Sequence, residues 1–191
     1  MTNRKDANRQ KLFDAAIGLF SQHGYEAVSM GDIARAAGLS RASTFNHFPS
    51  KQDFLVQFFV EATGRIETGV RARPSADFPG FLSTLCDEIG KIADHNEVLL
   101  REISILSVPG EKIRNTEMDM DDSLSALFTE QVSRAQTQGE ISAGHEASFI
   151  SSLYMATLTG TAREWALGNA DGDLASRLRR YFLLIFSGLQ N

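Results

Sequence analysis

The stretch RQKLFDAAIGLFSQHGYEAVSMGDIARAAGLSRASTFNHFPSK, residues 9–51, decides the fold of this 191-residue chain. Its apolar side chains recur every three or four positions, as they do along one face of an α-helix. The spacing predicts a first helix from about residue 8 to 23, with Gly24 as its C-terminal stop. Ser29 and Ser40 are suitable N-caps for two short helices that follow. The stretch therefore predicts three consecutive helices.

The second and third of these helices are joined across Gly38 in the spacing of a helix-turn-helix. Gly38 permits a tight turn, and the small Ala34 lets the two helices cross closely. Ile33 and Leu39 fill the small core between them. Helix pairs with a glycine turn also occur in ordinary bundles, so the spacing alone leaves open a bundle that does not bind DNA.

The rest of the chain is also predicted to be helical, which makes the fold class all-α. Prolines are few, strand-like alternation is nearly absent, and apolar residues keep the helical spacing. About nine helices are expected in all, forming an N-terminal three-helix head and a C-terminal helical body. Beyond the head, the helices are predicted at 50–69, 80–94, 96–107, 116–138, 145–168 and 172–189.

The composition is that of an ordinary globular protein, with 42% hydrophobic and 23% charged residues. Cys86 is the single cysteine, which excludes an intrachain disulfide and a multi-cysteine metal site. The histidines lack metal-ligand spacing, and no phosphate-binding loop or nucleophile motif is found. We therefore expect no metal, no cofactor and no enzymatic activity. No signal-peptide core and no spanning apolar run are found, so we expect a cytoplasmic protein without a membrane partner.

Charge is distributed unevenly along the chain, whose net charge is −5. Residues 1–51 carry a net charge of about +3, and the remainder carries about −8. A basic head on an acidic body suits a protein that presents only one end to a polyanion such as DNA.

Residues 9–51 resemble the N-terminal domain of the TetR/AcrR regulators. They carry the patterns LF-x-x-x-GY-x-x-x-S, IA-x-x-AG-L-S and HF-x-S-K in that order, and the resemblance covers 43 of the 191 residues. It implies that three helices bind DNA and that six form a dimerising, ligand-binding body. The expected domains are accordingly residues 1–50 and residues 51–191.

The resemblance also implies which side chains of the head meet DNA. The groove-facing side of the recognition helix would consist of Arg41, Ala42, Ser43 and Asn46. Among them Arg41 is the best candidate for a base contact, because its guanidinium can pair with guanine. The positions that commonly face the phosphate backbone are Ser29, Phe45, His47 and Lys51, although His47 could instead be partly structural.

Two head positions depart from the pattern of the family. Phe45 replaces a common tyrosine, which removes a phosphate hydrogen bond, and Thr44 replaces a usual leucine or phenylalanine. Neither change breaks the helix, but both alter the expected contacts with DNA.

In the body, apolar side chains are candidates for lining a ligand pocket, since such pockets are mostly hydrophobic. The alternative is that they form ordinary core. These residues are Phe58, Phe59, Phe81, Leu85, Ile89, Ile103, Leu106, Met118, Leu124, Phe128 and Met155.

The last two helices are the best candidates for a dimer interface, because small residues at every fourth position allow close helix approach. Burial within a single chain is the alternative. The predicted interface residues are Ala156, Gly160, Trp165, Leu178, Phe182 and Ile185.

Together these features predict a transcriptional regulator, and more specifically a repressor, that binds a palindromic double-stranded DNA operator as a homodimer. A small, largely apolar effector in the body would release it by moving the helix at 50–69. Two alternatives remain open: a small-molecule binding or adaptor protein without operator binding, and a helical enzyme.

Overall fold

The computed structural model describes residues 4–106, 111–168 and 172–190, and within them it leaves out the side chains of 111–121. All regular secondary structure in these ranges is α-helical, which confirms the predicted fold class. The helices are α1 (Arg4–His23), α2 (Met30–Ala36), α3 (Arg41–His47), α4 (Gln52–Ala72), α5 (Phe78–Leu106), α6 (Glu111–Thr137), α7 (Ala147–Ala166) and α8 (Leu174–Leu189).

Helix α5 replaces the two helices predicted at 80–94 and 96–107. Its backbone is non-helical at Asn96, with φ −139° and ψ 26°, so the predicted break survives as a kink within one continuous element. The eight described helices therefore correspond to the expected count of about nine once α5 is divided at this residue.

The chain forms two compact units. The first comprises Met1–Glu61 and Asn96–Thr116, and the second comprises Ala62–His95 and Glu117–Asn191. Helices α4, α5 and α6 each contribute residues to both units. The functional division predicted at residue 50 stays a prediction.

An aromatic cluster holds the first unit together. The rings of Phe48 and Phe54 stack with centroids 3.9 Å apart. Phe20 packs against Tyr25 at 5.0 Å and meets Phe54 edge-on at 6.3 Å. All four side chains are buried, and each contributes roughly 1.5–3 kcal/mol by leaving water. The cluster thereby ties α1 to the end of α3 and the start of α4.

Both turns of the head depend on glycine. Gly24 has φ +81° and Gly38 has φ +68°, in the left-handed region that other L-residues rarely adopt. Gly24 ends α1, and Gly38 sets the turn between α2 and α3, as the sequence predicts.

A second aromatic cluster forms the core of the second unit. Phe128 stacks on Tyr154 with centroids 5.3 Å apart, and Phe182 meets both rings edge-on. The Tyr154 hydroxyl donates a hydrogen bond to the carbonyl of Phe182, and burial raises its pKa. This contact satisfies the polar end of a fully buried side chain.

None of the described helices has both the length and the apolar character needed to cross a membrane.

Candidate nucleic-acid interface

A capping box fixes the start of α2. The Ser29 hydroxyl accepts a hydrogen bond from the Asp32 amide at 3.2 Å, and the Ser29 amide donates to the Asp32 carboxylate at 3.1 Å. Hydrogen bonds from Ser29 hold the pKa of Asp32 below its usual range. Ser29, predicted as a phosphate contact, is exposed but has a structural role as an N-cap.

Helix α3, the predicted recognition helix, begins with its own cap. The Ser40 hydroxyl accepts a hydrogen bond from the Ser43 amide at 3.1 Å. Thr44 is fully buried, and its hydroxyl donates to the Ser40 carbonyl at 3.1 Å. Threonine can therefore replace a larger apolar residue without leaving a buried polar group unsatisfied.

The outward face of α3 presents four of the eight predicted DNA-contacting side chains. At 100° per residue, the positions of Arg41, Ala42, Phe45 and Asn46 fall within an arc of about 140°. All four residues are exposed. Ser43 and His47 lie about 60° and about 100° beyond the end of this arc that Asn46 marks, and both are half-buried. The structure thus brings these six predicted residues together on one seven-residue helix.

The Arg41 side chain lies against the first turn of α2. A methyl group placed on Gly31 would come within 3.3 Å of the Nε and Nη2 atoms of Arg41. Glycine at residue 31 therefore leaves room for the guanidinium to pack beside α2 while Arg41 as a whole stays exposed.

Lys51 is already engaged within the first unit. Its ammonium group donates to the Tyr25 carbonyl at 2.8 Å and lies 4.1 Å from the centroid of the Tyr25 ring. Tyr25 is buried, and desolvation raises its pKa. Lys51 was predicted as a phosphate contact, and in this structure it links the start of α4 to the loop after α1.

Arg9 is a structural residue of the head that the sequence reasoning missed. Its Nη1 donates to the His47 carbonyl at the end of α3, and its Nη2 donates to Oε1 of Gln57 in α4, each at 2.7 Å. The guanidinium also lies 4.2 Å from the centroid of the Phe48 ring. Arg9 therefore fixes the C-terminal end of α3 to α1 and α4. The only sequence signal was a basic residue near the start of an amphipathic helix.

The predicted pocket residues are divided between the two units. Phe58, Phe59, Ile103 and Leu106 belong to the first unit, whereas the others with described side chains belong to the second. In the second unit, Phe81 and Phe128 are buried and pack edge-on at 5.6 Å. The side chain of Met118 lies outside the described residues. The remaining four, Leu85, Ile89, Leu124 and Met155, are buried.

A cavity of about 240 Å³ opens in the second unit near the end of α4 and is lined by residues 70, 71 and 73–75, by Phe81 and by part of α6. Among the residues that line this cavity, Phe81 alone belongs to the predicted pocket residues. Three arginines line the cavity, and the buried Nε atom of Arg134 lacks a hydrogen-bond partner. The other two arginines form ion pairs, Arg71 with Glu130 and Arg73 with Glu88.

Helices α7 and α8 present an open apolar groove of about 450 Å³. Ala156, Gly160 and Ile185, three of the predicted interface residues, line it. Trp165 is half-buried, and its indole donates to the Gly172 carbonyl at 3.2 Å. Leu178 and Phe182 face the core instead, because their side of α8 packs inward and both are fully buried.

Exposed apolar residues that the sequence reasoning missed accompany this groove. Leu153 and Leu184 line it, with 44% and 70% of their surface exposed, and Phe149 at the start of α7 is 63% exposed. A sequence signal existed, since Phe149 and Leu153 precede Ala156 and Gly160 at spacings of four, three and four residues.

Across the residues with described side chains, no group of three histidine, cysteine, aspartate or glutamate residues is arranged to hold a metal ion. The arrangement that stands out is instead a capped, outward-facing short helix on a glycine turn. Fold and site together define a helical protein with an N-terminal helix-turn-helix.

Comparisons with known proteins agree with this class. Residues 12–58 match the family described as bacterial regulatory proteins, tetR family. The fatty acid metabolism regulator protein of Bacillus subtilis (strain 168) is 22% identical over 98% of both chains. The N-terminal part of the chain is thus similar to the tetR family of bacterial regulatory proteins.

Solved structures share the fold across the whole chain. The fatty acid degradation regulator FadR from Bacillus halodurans has a TM-score of 0.77 and 20% identity, covering 100% of this chain and 99% of its own. FadR of Thermus thermophilus, solved in complex with lauroyl-CoA, has a TM-score of 0.69 and 20% identity. That alignment covers 96% of this chain and 95% of the other.

Proposed function

We propose that this protein is a repressor of the TetR family that binds a palindromic DNA operator as a homodimer in the cytoplasm and leaves it when a small effector binds. Residues 1–50 would bind DNA, and residues 51–191 would form the dimer and take up the effector. The observation that carries the proposal is the outward face of α3, where Arg41 and Asn46 are both exposed. Their side chains are those that recognise guanine and adenine in the major groove.

Dimerisation is supported by the groove between α7 and α8. Its lining is largely apolar, and Leu153 and Leu184 are exposed to solvent in the single chain. Ala156 and Gly160 would let a second copy approach closely, and two-fold pairing would present two recognition helices to successive major grooves. Dimers of this kind read half-sites spaced about one helical turn of DNA apart.

The effector proposal draws on the relatives and on the arginine-lined cavity. One relative is named as a regulator of fatty acid metabolism, and one structural neighbour holds lauroyl-CoA. Apolar contacts from Val70, Phe81 and Leu127 would suit an acyl chain, and Arg134 would suit its carboxylate or phosphate. The effector would thus be largely apolar with an anionic end.

A matched ligand pair tests this effector. Dodecanoate should raise the melting temperature of the protein, whereas dodecanol, which lacks the charge, should raise it less. Arg134→Met should remove the difference. Equal shifts by both ligands would contradict a role for the arginine.

Release from DNA requires the two sites to be coupled. Helices α4, α5 and α6 each contribute residues to both units, so a change in either unit alters a helix that also belongs to the other. In particular α4 begins directly after the head, and we propose that effector binding moves it. Operator affinity that is unchanged by a bound effector would contradict this part, because coupling requires different affinities in the two states.

Operator binding itself is tested by titrating the protein with DNA from upstream of its own gene at several salt concentrations. We expect a sequence preference and a steep salt slope. Arg41→Ala should cost about 1–3 kcal/mol on the preferred sequence and relax specificity. Arg35→Ala is the matched control: Arg35 is exposed on α2 and paired with Asp32, and its loss should act alike on all sequences.

The alternatives predict different results. A binding or adaptor protein without operator binding would show no sequence preference and no loss on substitution of Arg41. A helical enzyme would turn over a ligand that the protein binds, and the product would be detected by mass spectrometry.

A further inference from the structure

Phe45 is unlike every other aromatic residue between residues 4 and 57. The others, namely Phe13, Phe20, Tyr25, Phe48 and Phe54, are at most 5% exposed. Phe45 is 46% exposed and lies on the outward face of α3 together with Arg41, Ala42 and Asn46. A large apolar side chain is therefore about half exposed to solvent among the residues proposed to contact bases of the DNA.

The chemistry of this ring does not suit the backbone contact expected for residue 45. A phenyl group has no hydrogen-bond donor, so it cannot replace the hydrogen bond that a water molecule donates to a phosphate oxygen. In the major groove, the apolar feature that distinguishes one base from the others is the C5-methyl group of thymine. Contact with that methyl would remove apolar surface of both partners from water.

The position of the ring along α3 limits where that thymine lies. Phe45 is four residues after Arg41, so the two side chains leave the helix on the same side about 6 Å apart along its axis. Successive base pairs are separated by about 3.4 Å. A thymine under Phe45 therefore lies within about two base pairs of the guanine that Arg41 would contact. Ala42, exposed beside Phe45 one turn earlier, is too short to occupy the same space.

We infer that Phe45 is a specificity-determining residue that recognises the C5-methyl group of a thymine in each operator half-site. This inference rests on the proposed function, since it requires operator binding. It replaces the backbone role that the sequence assigned to residue 45 with a base-reading role.

Uracil substitution provides the test, because deoxyuridine differs from thymidine only by the missing methyl group. Each symmetric pair of thymidines in the preferred operator is replaced in turn, and the dissociation constant of the full-length protein is measured at one salt concentration. Losing one buried methyl should weaken binding about fourfold, and losing it in both half-sites about fifteenfold. We expect this loss at one thymidine pair close to the guanine read by Arg41.

Three variants identify the residue responsible. Phe45→Ala should bind the thymidine and deoxyuridine operators equally at that position, whereas Phe45→Tyr should keep the preference because it keeps the ring. Asn46→Ala is the matched control, since Asn46 is equally outward but polar, and it should also keep the preference. Thermal unfolding of each variant checks that it is folded. The uracil scan of the wild-type protein does not depend on the variants.

The outcomes separate this inference from the proposed function. Sequence-specific binding with no effect of uracil at any thymidine would overturn the role of Phe45 and leave operator binding intact. The same holds if Phe45→Ala weakens binding to all DNA sequences alike. A wild-type protein without any sequence preference would instead overturn the proposed function.

Discussion

Replacing Arg9 with methionine should loosen the recognition helix, even though Arg9 lies on a different helix. The guanidinium makes two hydrogen bonds of 2.7 Å, to the His47 carbonyl and to Gln57, and lies over the ring of Phe48. Allowing about 1 kcal/mol for each partly buried charged hydrogen bond and about 0.5–1 kcal/mol for the ring contact gives about 2.5–3 kcal/mol. Methionine keeps much of the apolar stem and removes all three interactions.

Hydrogen exchange read by mass spectrometry measures this loss locally, without assuming that the two units unfold together. Amides of α3 should exchange about 70–160-fold faster in Arg9→Met than in the wild type. Lys11→Met is the matched control, since Lys11 is exposed on α1 and its loss removes the same charge. If the α3 amides exchange at the same rate in the two variants, the loss of positive charge alone explains the effect. Arg9 would then not fix the end of α3 through its hydrogen bonds and ring contact.

Three further predictions follow from the described contacts. Burial raises the pKa of the Cys86 thiol to about 12. Because the thiolate is the species that reacts, alkylation of Cys86 at pH 8 should be about a thousandfold slower in the folded protein than after unfolding, as measured by mass spectrometry. Ser29→Ala should cost α2 about 1 kcal/mol at pH 7. Because Ser29 lowers the pKa of Asp32 in the folded chain, that difference should shrink as the pH falls below about 4, which exchange of the α2 amides would reveal. Leu184→Glu should shift the protein toward monomer in sedimentation, whereas Leu183→Glu, on the same helix but outside the groove, should not; equal behaviour would contradict the groove as the interface.

The elements of the head could be predicted because their signals are local. A serine cap, a helical spacing of apolar residues and a glycine with positive φ each act within a few residues of sequence, so α2 and α3 lie where their caps predict. The same holds for the outward face of α3, since a seven-residue helix that buries Thr44 must turn the neighbouring positions toward solvent.

The roles of Arg9 and Lys51 could not be predicted, because they depend on distant partners. Arg9 meets residues 38 and 48 positions away, and Lys51 meets a carbonyl 26 positions away. A sequence pattern records that such a side chain is basic but not which carbonyl or ring will face it. Both residues appear in the sequence as general positive charge, whereas in the structure each stabilises the junction between helices.

The body was harder to predict for a related reason. An apolar residue on a helix has the same signal whether it faces its own core or a second copy, so Leu178 and Ile185 appeared equivalent. Only the packing of Phe182 against Tyr154 and Phe128 reveals which side of α8 is already covered. The candidate pocket residues met the same difficulty, since an apolar side chain that fills a core resembles one that lines a cavity.

The Thr44 side chain faces the core of the head, and this orientation affects how such a protein can change in evolution. Thr44 is the only residue of this helix that is fully buried, and Phe48 and Arg9 hold the end of the helix. The residues at 41, 42, 45 and 46 are exposed and can be exchanged with little effect on folding. After gene duplication, a copy could therefore acquire a new target sequence through a few surface substitutions while its scaffold stayed the same.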